Sequence, residues 1–268
     1  MRFIFAALIL AGLVGCNGGS TAATGAPPGG PKPVVVFAAT SLREAFGVLA
    51  PAFQALHPEL IVQFAFAGSQ ALRLQLEQGA PSDVFAAADE AQTTPLWATG
   101  RLEPPVVFAE NDLVLVVSAE RRASLTKFED LPTASRIVLG ADEVPVGRYT
   151  TEALDRMGTT YRAQVEARVV SRELNVRQVL SKVRMGEADA GVVYRTDALA
   201  VSSAEDAPPA SALGVIELPP GIGRRARYAV ARVTAGPNPA GGAAWIAFVR
   251  GPEGRAALAA AGFGLPAP

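Results

Sequence analysis

The sequence predicts an α/β fold, because apolar strand-like runs alternate with amphipathic helical segments along most of the chain. The chain has 268 residues, of which 50% are hydrophobic and 18% charged, and this composition suffices for a large core. Runs such as 34–38 and 190–194 contain almost only apolar residues, which is typical of strands buried on both faces. We therefore expect largely parallel sheets covered by helices.

The elements follow from apolar periodicity, which is continuous in buried strands and recurs every three to four residues in helices. Strands are predicted at 34–38, 60–67, 83–87, 113–117, 137–139, 165–170, 190–194 and 228–233. Helices are predicted at 42–53, 70–78, 150–157 and 176–185, with a final helical stretch at 243–261 broken around Gly251 and Pro252. Gly79 and Gly186 follow two of these helices and are expected to end them.

Charge and composition exclude several classes of function. The chain has 24 Lys and Arg residues against 25 Asp and Glu residues, so it lacks the basic excess that nucleic-acid binding requires. Its only cysteine is Cys16 and its only histidine is His57, which excludes a Cys/His zinc site, a disulfide framework and a Cys–His dyad. Because His57 precedes Pro58, we expect it in a surface turn between a helix and a strand.

The N-terminal sequence predicts a secretory signal peptide followed by a lipid anchor. Arg2 and the apolar run 3–13 form a signal peptide, which spans residues 1–15. The segment LVGC at 13–16 matches the bacterial lipobox, in which Cys16 carries the lipid; the alternative is an ordinary signal with an incidental cysteine. Residues 16–33 are rich in Gly, Pro, Ser and Thr and predict a flexible tether.

Four predicted helices begin with residues that are typical of helix N-termini. Ser41 with Glu44 forms a capping-box pattern, and Ser69, Pro145 and Asn175 stand at three further helix starts. Each alone is as typical of any helix as of a binding site. Together they follow strands or short loops, where open α/β sheets bind ligands, and helix N-termini favour anions.

Another glycine pattern does not predict a nucleotide site. The segment GIGRRA at 221–226 superficially matches a dinucleotide-binding fingerprint. It follows the segment LPP at 218–220 rather than a strand, and it leads into the strand-like run 228–233. No phosphate-binding loop with a Lys-Ser/Thr pair is present in the sequence.

Six segments, in the order in which they occur along the chain, resemble the motifs of a known family. They are FAATSL (37–42), FAGS (66–69), QGAPSDVF (78–85), ADEVPVGRY (141–149), NVR (175–177) and GVVY (191–194). With these segments, from about Val34 to Phe263, the chain resembles the periplasmic molybdate-binding proteins of bacterial ABC importers, which are type II solute-binding proteins. The resemblance implies a two-lobed, periplasmic-binding-protein-like (type II) α/β fold with the ligand cleft between the lobes.

The resemblance also implies a set of binding residues. The family holds its oxyanion with two serine hydroxyls, two backbone amides and one tyrosine hydroxyl. Matched by motif, these molybdate-binding residues are Ser41, Ser69, Val146, Val176 and Tyr194. No catalytic residue and no cofactor are implied, and the metal is held only as its oxyanion.

Two residues depart from the family pattern. Thr40 stands where the family often has Ala, and Asn175 where Asp is common. Thr40 could add a hydroxyl near the site, and Asn175 removes a nearby negative charge. Both departures leave the donor set intact, and both bear on the choice among oxyanions.

The implied donor set suits a bare tetrahedral dianion. Molybdate presents only acceptor oxygens, and hydroxyl and N–H groups can replace its water shell without a buried cation. Hydrogen phosphate carries a proton that needs an acceptor, so it should bind poorly. Sulfate differs from molybdate mainly in size, whereas tungstate nearly matches it, and we expect both molybdate and tungstate to bind.

The resemblance implies an arrangement of lobes and partners as well. We expect the chain to cross into the second lobe near Asn111 and Asp112, return after the strand 228–233, and close over ligand as a hinge. The expected parts are lobe I at 34–112, lobe II at 113–233 and a C-terminal part of lobe I at 234–268. The implied partners are an ABC permease and ATPase, the chain being a monomer anchored by lipid in the periplasm or at the cell surface.

Four alternatives stay open at this point. The ligand could be another tetrahedral oxyanion such as sulfate. A ferric-ion binder would use adjacent tyrosines, but the tyrosines here, at 149, 161, 194 and 228, are all separated in sequence. A secreted hydrolase would need a base beside a nucleophile, and no Gly-x-Ser-x-Gly elbow is present. A purely structural surface protein would bind no oxyanion at all.

Overall fold

The computed structural model describes residues 30–202 and 213–267, which form two five-stranded sheets with helices packed against them. The first sheet has the strand order β2-β1-β3-β10-β4. Its strands are β1 (Lys32–Ala39), β2 (Leu60–Ala67), β3 (Val84–Ala87), β4 (Val106–Asn111) and β10 (Ala226–Arg232). The predicted signal peptide and Cys16 lie outside the described residues, as does most of the predicted tether.

The second sheet repeats the arrangement of the first, with the order β7-β6-β8-β5-β9. Its strands are β5 (Leu113–Val117), β6 (Ile137–Gly140), β7 (Val169–Glu173), β8 (Ala190–Tyr194) and β9 (Gly214–Glu217). The predicted two-lobed α/β fold is therefore confirmed. The tether prediction extends slightly too far, because β1 already begins at Lys32 and pairs with Leu60 of β2.

Both sheets are mixed rather than largely parallel. In the first sheet β1 runs parallel to β2 and β3, whereas β10 runs antiparallel to β3 and β4. In the second sheet β6 runs parallel to β7 and β8, whereas β5 runs antiparallel to β8 and β9. The buried apolar runs of β5 and β10 resemble those of parallel strands because helices cover both faces of these sheets.

Within residues 30–202 and 213–267 the chain crosses between the sheets twice. The first crossing is at Asp112, between β4 and β5. The second lies between Glu217, where β9 ends, and Ala226, where β10 begins. The prediction that the chain returns only after the strand 228–233 is wrong, because β10 belongs to the first sheet and fills the gap between β3 and β4.

The helices cover the two sheets and connect their strands. They are α1 (Arg43–Leu56), α2 (Ser69–Glu77), α3 (Glu90–Ala98), α4 (Pro145–Met157), α5 (Thr159–Glu166), α6 (Val176–Arg184), α7 (Arg195–Ser202), α8 (Pro239–Arg250) and α9 (Pro252–Ala260). Gly79 and Gly186 follow α2 and α6 with φ of 87° and 72°. These left-handed conformations favour glycine and end both helices, as predicted.

Several elements differ from the predictions. The strand predicted at 165–170 is wrong at its start, because Val165 is buried in α5 and the strand begins only at Val169. Helix α3 was not predicted: its sequence EAQTTPLWA has no clear apolar stripe and contains Pro95. This helix is stabilised by packing against the first sheet, which the sequence of the helix alone does not show.

An aromatic cluster forms the core of the first lobe. The Trp245 ring lies edge-on to Phe46 and Phe53, with centroid distances of 5.4 and 5.2 Å. Phe53 also packs against Phe248 at 5.5 Å. Edge-to-face contacts of this kind stabilise beyond the area they bury, so α1 and α8 are fixed against the sheet that presents the site.

The helices of residues 30–202 and 213–267 are all too short or too polar to cross a membrane.

Candidate functional site

One cavity between the two sheets collects the residues that the sequence singled out. It is lined from the first lobe by the segments after β1 and β2 and from the second lobe by the starts of α4 and α6. The five predicted binding residues all lie in this lining: Ser41, Ser69, Val146, Val176 and Tyr194. Residues from five separate segments thus meet at one place.

Ser69 lies at the first position of α2 and is 1% exposed. Its hydroxyl oxygen accepts a hydrogen bond of 3.1 Å from the backbone N–H of Ala88, which follows β3. Because this bond uses a lone pair of the oxygen, the hydroxyl proton stays free to be donated. Ser69 is therefore held as a donor at the cavity.

Ser41 lies in a short 3-10 turn, 40–42, and not at the N-cap of α1. The N-cap is Leu42, and no side chain caps this helix, so the predicted capping box of Ser41 and Glu44 is wrong. The Ser41 hydroxyl instead makes a buried hydrogen bond of 2.8 Å with the hydroxyl of Tyr228 on β10. A tertiary contact outweighs the local cap here, and it keeps Ser41 at the cavity wall.

Two helix N-termini of the second lobe point their first turns at the cavity. Pro145 occupies the first position of α4, and Asn175 caps α6 by accepting a hydrogen bond from the backbone N–H of Gln178 at 3.1 Å, both as predicted. The first N–H groups of a helix have no acceptor within the helix. The N–H groups of Val146 and Val176 are therefore available, and the helix dipoles favour an anion beside them.

Tyr194 ends β8 at the floor of the cavity and is 1% exposed. Its hydroxyl oxygen has no hydrogen-bond partner among the described residues. Burial raises the pKa of Tyr194 well above its usual value, so the hydroxyl keeps its proton at neutral pH. An unpartnered buried hydroxyl costs free energy, which an acceptor in the cavity would offset.

The lining carries no acidic or basic side chain among the described residues, and it includes both departures from the family pattern. Besides the five predicted residues it contains Ala39, Thr40, Ala67, Gly68, Ala88, Val144, Pro145 and Asn175. Thr40 is 7% exposed and offers one further hydroxyl. The site can thus surround an anion with neutral donors, and it presents no carboxylate that would repel one.

Two arginines just behind the helix N-termini reach across to the first lobe. Arg148 on α4 contacts Asp89, with Nε at 2.7 Å and Nη2 at 2.6 Å from the Asp89 Oδ2 atom, and Asp89 is 2% exposed. Arg177 on α6 pairs with Glu44 on α1. Each pair joins a helix start at the cavity to the opposite lobe, so ion pairs connect the two lobes beside the cavity.

Asp197 lies fully buried in the first turn of α7, with Arg177 Nε at 2.7 Å from its Oδ1 atom. Burial raises the pKa of Asp197 to about 7, an effect that Arg177 opposes and Glu44 reinforces. The carboxyl group should therefore titrate near neutral pH, beside the helix α6 that begins at the cavity.

Two tyrosines that are far apart in the sequence lie close together in the fold, so their separation in sequence does not exclude an iron site. Although Tyr194 and Tyr228 are separated in sequence, the fold brings their rings to a centroid distance of 5.7 Å. Of these two, only Tyr194 lines the cavity, and the Tyr228 hydroxyl is bonded to Ser41. No cluster of His, Cys, Asp and Glu among the described residues could hold a metal ion.

Sequence reasoning missed two residues behind the cavity. Tyr228 contacts Ser41, and Asn111 Nδ2 lies 3.4 Å from the Tyr228 hydroxyl and 2.8 Å from Thr196 Oγ1. A buried Asn at the end of an apolar strand was the only local signal. His57, the single histidine, caps the C-terminus of α1 near Glu59, away from the cavity lining.

Similarity to known proteins shows the family to which the chain belongs. Residues 34–264 match the family model described as bacterial extracellular solute-binding protein. The chain belongs to this family. Members of the family are extracellular proteins that bind solutes, which agrees with a cavity between two lobes.

Individual relatives agree with this membership. Molybdate-binding protein ModA of Mycobacterium tuberculosis is 37% identical over 266 residues, which covers 98% of this chain and 97% of the relative. The structure of the Azotobacter vinelandii periplasmic molybdate-binding protein superposes with a TM-score of 0.75 at 22% identity, covering 87% of this chain and 100% of that one. The sulfate-binding protein SubI of M. tuberculosis has a TM-score of 0.76 at 15% identity, covering 88% of both chains. The last two likenesses concern the fold.

Proposed function

We propose that the protein captures molybdate, and also tungstate, outside the cytoplasm and delivers it to an ABC importer. The observation that carries this proposal is the convergence of five donor groups from separate segments on one cavity without a charged lining: Ser41, Ser69, Val146, Val176 and Tyr194. The ModA relative, which matches along nearly the whole chain, is named as a molybdate-binding protein and supports the same ligand.

The proposed binding is a replacement of the water shell of the anion by fixed donors. Ser69 and Tyr194 have protons free to donate, and the first turns of α4 and α6 add N–H groups and positive dipole ends. Neutral donors avoid the cost of burying an unpaired cation. No cofactor and no chemical step are needed.

Sulfate is the second candidate, and SubI, which shares the fold, is named as a sulfate-binding protein. Sulfate is also a bare dianion and makes the same demands on donors, so the donor set does not discriminate against it. Cavity size alone can separate the two ligands. We place molybdate first because the sequence relationship to the ModA protein is much stronger, at 37% identity against 15%.

The proposed location follows from the N-terminal sequence. The lipobox at 13–16 supports processing before Cys16 and a lipid anchor on its thiol, with the Gly- and Pro-rich segment behind it as a tether. A monomer on such a tether can reach a permease and its ATPase in the same membrane system. The family's extracellular location agrees with this arrangement.

The proposal is tested by isothermal titration calorimetry of the folded domain without its tether, residues 30–268, with molybdate, tungstate, sulfate and phosphate. We expect similar tight binding of molybdate and tungstate, weaker binding of sulfate and little heat with phosphate. Tight binding of sulfate with weak binding of molybdate would make the protein a sulfate carrier. No binding of any of the four anions would reject the proposal.

A further inference from the structure

The Ser41 hydroxyl is connected to a series of buried hydrogen bonds whose other members are not among the proposed binding residues. The Ser41 hydroxyl lies 2.8 Å from the Tyr228 hydroxyl, and Asn111 Nδ2 lies 3.4 Å from the same Tyr228 oxygen. Asn111 also donates to Thr196 Oγ1 at 2.8 Å. Ser41, Tyr228 and Asn111 are 3%, 0% and 2% exposed, so these hydrogen bonds are shielded from solvent.

These hydrogen bonds lie between the cavity and the two points where the polypeptide crosses from one lobe to the other. Asn111 is the last residue of β4, directly before the crossing at Asp112, and Tyr228 lies on β10, the strand after the second crossing. Thr196 is on α7 of the second lobe. A hydroxyl of the binding site is thus held by residues from the segment around which the lobes close.

The direction of the Ser41–Tyr228 bond decides what Ser41 can offer a ligand. A phenol is the stronger acid and the weaker acceptor of the two hydroxyls, so the favoured bond runs from the Tyr228 O–H to the Ser41 oxygen. The Asn111 amide donates to the Tyr228 oxygen in the same direction. Burial raises the pKa of Tyr228 well above its usual value, so its proton is kept over the whole neutral range.

We propose that Tyr228 is a positioning residue that occupies the acceptor side of Ser41 and thereby turns the Ser41 proton toward the anion. The proposal rests on the proposed function, because it assumes that Ser41 contacts a bound oxyanion. It adds a reason for selectivity. With one of its two lone pairs occupied by the Tyr228 O–H and its own proton turned toward the cavity, Ser41 donates to an unprotonated oxygen and has less acceptor capacity for the O–H of hydrogen phosphate.

Ser69 shows the same principle in a simpler form. Its oxygen accepts from the backbone N–H of Ala88, so its proton also faces a ligand as a donor. The two serines of the site therefore each have a partner behind them that donates, a backbone amide for Ser69 and a phenol for Ser41. Aligned hydrogen bonds polarise one another, which strengthens the final donor.

The test compares wild type with Tyr228→Phe, a substitution that keeps the ring and removes the hydroxyl. Calorimetry with molybdate, sulfate and phosphate gives the ratio of the Kd for phosphate to the Kd for each bare dianion. We expect this ratio to fall about three- to ten-fold, the equivalent of one neutral hydrogen bond, because the freed Ser41 oxygen can now accept a hydrogen bond from the O–H of hydrogen phosphate. Tyr161→Phe, which removes a hydroxyl bonded to the Phe128 carbonyl far from the cavity, is the matched control and should leave the ratio unchanged.

A double-mutant cycle separates positioning from a general structural effect. If Tyr228 acts through Ser41, Tyr228→Phe should change the ratio in wild type but not in a Ser41→Ala background. An equal change in both backgrounds, or an unchanged ratio in Tyr228→Phe, would overturn the proposal. Thermal melts of each variant verify that it is folded.

Asn111→Asp is a second variant, and it tests the donor-to-acceptor direction of the hydrogen bonds from Asn111 through Tyr228 to Ser41. A carboxylate at this place accepts from the Tyr228 hydroxyl instead of donating to it, which should reverse this direction and lower the phosphate-to-dianion ratio at least as far as Tyr228→Phe does. A ratio that rises in this variant would contradict the assigned direction.

The outcomes also distinguish this proposal from the proposed function. A wild type that binds sulfate and not molybdate overturns the proposed cargo, whereas the same ratios measured with sulfate still judge the role of Tyr228. A wild type that binds phosphate as tightly as the bare dianions overturns the role of Tyr228 directly. Absence of binding to all of these anions overturns both.

Discussion

A β-carbon placed on Gly68 would lie 2.3 Å from the carbonyl oxygen of Leu174, which belongs to the opposite lobe. Gln70 Nε2 donates to the same carbonyl at 2.7 Å, so this point is a direct contact between the lobes. The backbone of Gly68 has φ −61° and ψ 138°, which any residue can adopt. Glycine is therefore needed here for the close approach of the lobes and not for its conformational freedom.

Gly68→Ala should consequently impair closure while leaving the lobes folded. The added methyl group cannot share space with the Leu174 carbonyl unless the lobes separate, and the anion then loses donors from one side. We expect molybdate affinity, measured by calorimetry, to fall by at least about ten-fold, or 1.4 kcal/mol. Gly47→Ala, in α1 with no atom within 4 Å of the new methyl group, is the control and should bind normally. Normal binding by both variants would show that the contact is not required.

Ser69→Ala should weaken molybdate binding by about 1.5–3 kcal/mol, the range for a hydrogen bond to a charged group. The substitution also leaves the Ala88 N–H without its acceptor, so some loss of stability should accompany the loss of affinity. Calorimetry and thermal melting measure the two effects separately. Ser124→Ala, on an exposed turn, serves as the control for removing a serine hydroxyl. An unchanged Kd in Ser69→Ala would remove this serine from the site.

Ligand binding should raise the thermal stability of the mature domain. A ligand bound only by the folded state adds about 2.7 kcal/mol at one hundred times its Kd, and each kcal/mol shifts Tm by roughly 2–4 °C for a domain of this size. We therefore expect a rise of about 5–11 °C with molybdate and far less with phosphate. Tyr194→Phe, which removes the unpartnered hydroxyl, should shrink the molybdate shift. Equal shifts with both anions would indicate only a general effect of salt.

The buried carboxyl group of Asp197 should make stability depend on pH. Its pKa is raised by burial to about 7 in the folded protein, against 3.8 for an ordinary aspartate. Between these values the folded state binds the extra proton. The contribution of Asp197 to the free energy of unfolding is therefore greatest below about pH 4 and falls by up to about 1.4 kcal/mol per pH unit until about pH 7. Above that pH the contribution is lost and the curve flattens.

Urea unfolding of wild type and Asp197→Asn at several pH values tests this assignment. The difference in unfolding free energy between the two proteins should change between about pH 4 and about pH 7. Over this range the unfolding free energy of wild type should fall relative to that of Asp197→Asn as the pH rises. Asp142→Asn, at an exposed aspartate, should give a curve parallel to wild type. Parallel curves for Asp197→Asn as well would mean that Asp197 does not hold its proton in this range.

The lipid anchor is tested in cells. Cys16→Ser removes the thiol that carries the lipid, so the protein should leave the membrane fraction or accumulate as the unprocessed precursor. The purified domain beginning at residue 30 should bind molybdate as before, since Cys16 lies outside it. If the variant fractionates with membranes as wild type does, the anchor is not at Cys16.

Local sequence determined the individual elements and the chemistry at their ends. The apolar runs of β1, β3 and β8, the helix start at Pro145, the Asn175 cap and the glycine stops at Gly79 and Gly186 all depend on neighbouring residues. Short-range sterics and hydrogen bonding specify them, so they could be predicted one by one. The motif resemblance then indicated which helix starts and which hydroxyls belong together.

Tertiary structure decided the features that depend on distant partners. The place of β10 in the first sheet follows from pairing with β3 and β4, which are far away in the chain, and this overturned the expected lobe boundary. Ser41 abandons a local capping box for a bond to Tyr228, 187 residues away, and Gly68 meets Leu174 only because the lobes close. A periodic pattern shows which side of an element is buried but not which other element buries it, and that choice belongs to the whole fold.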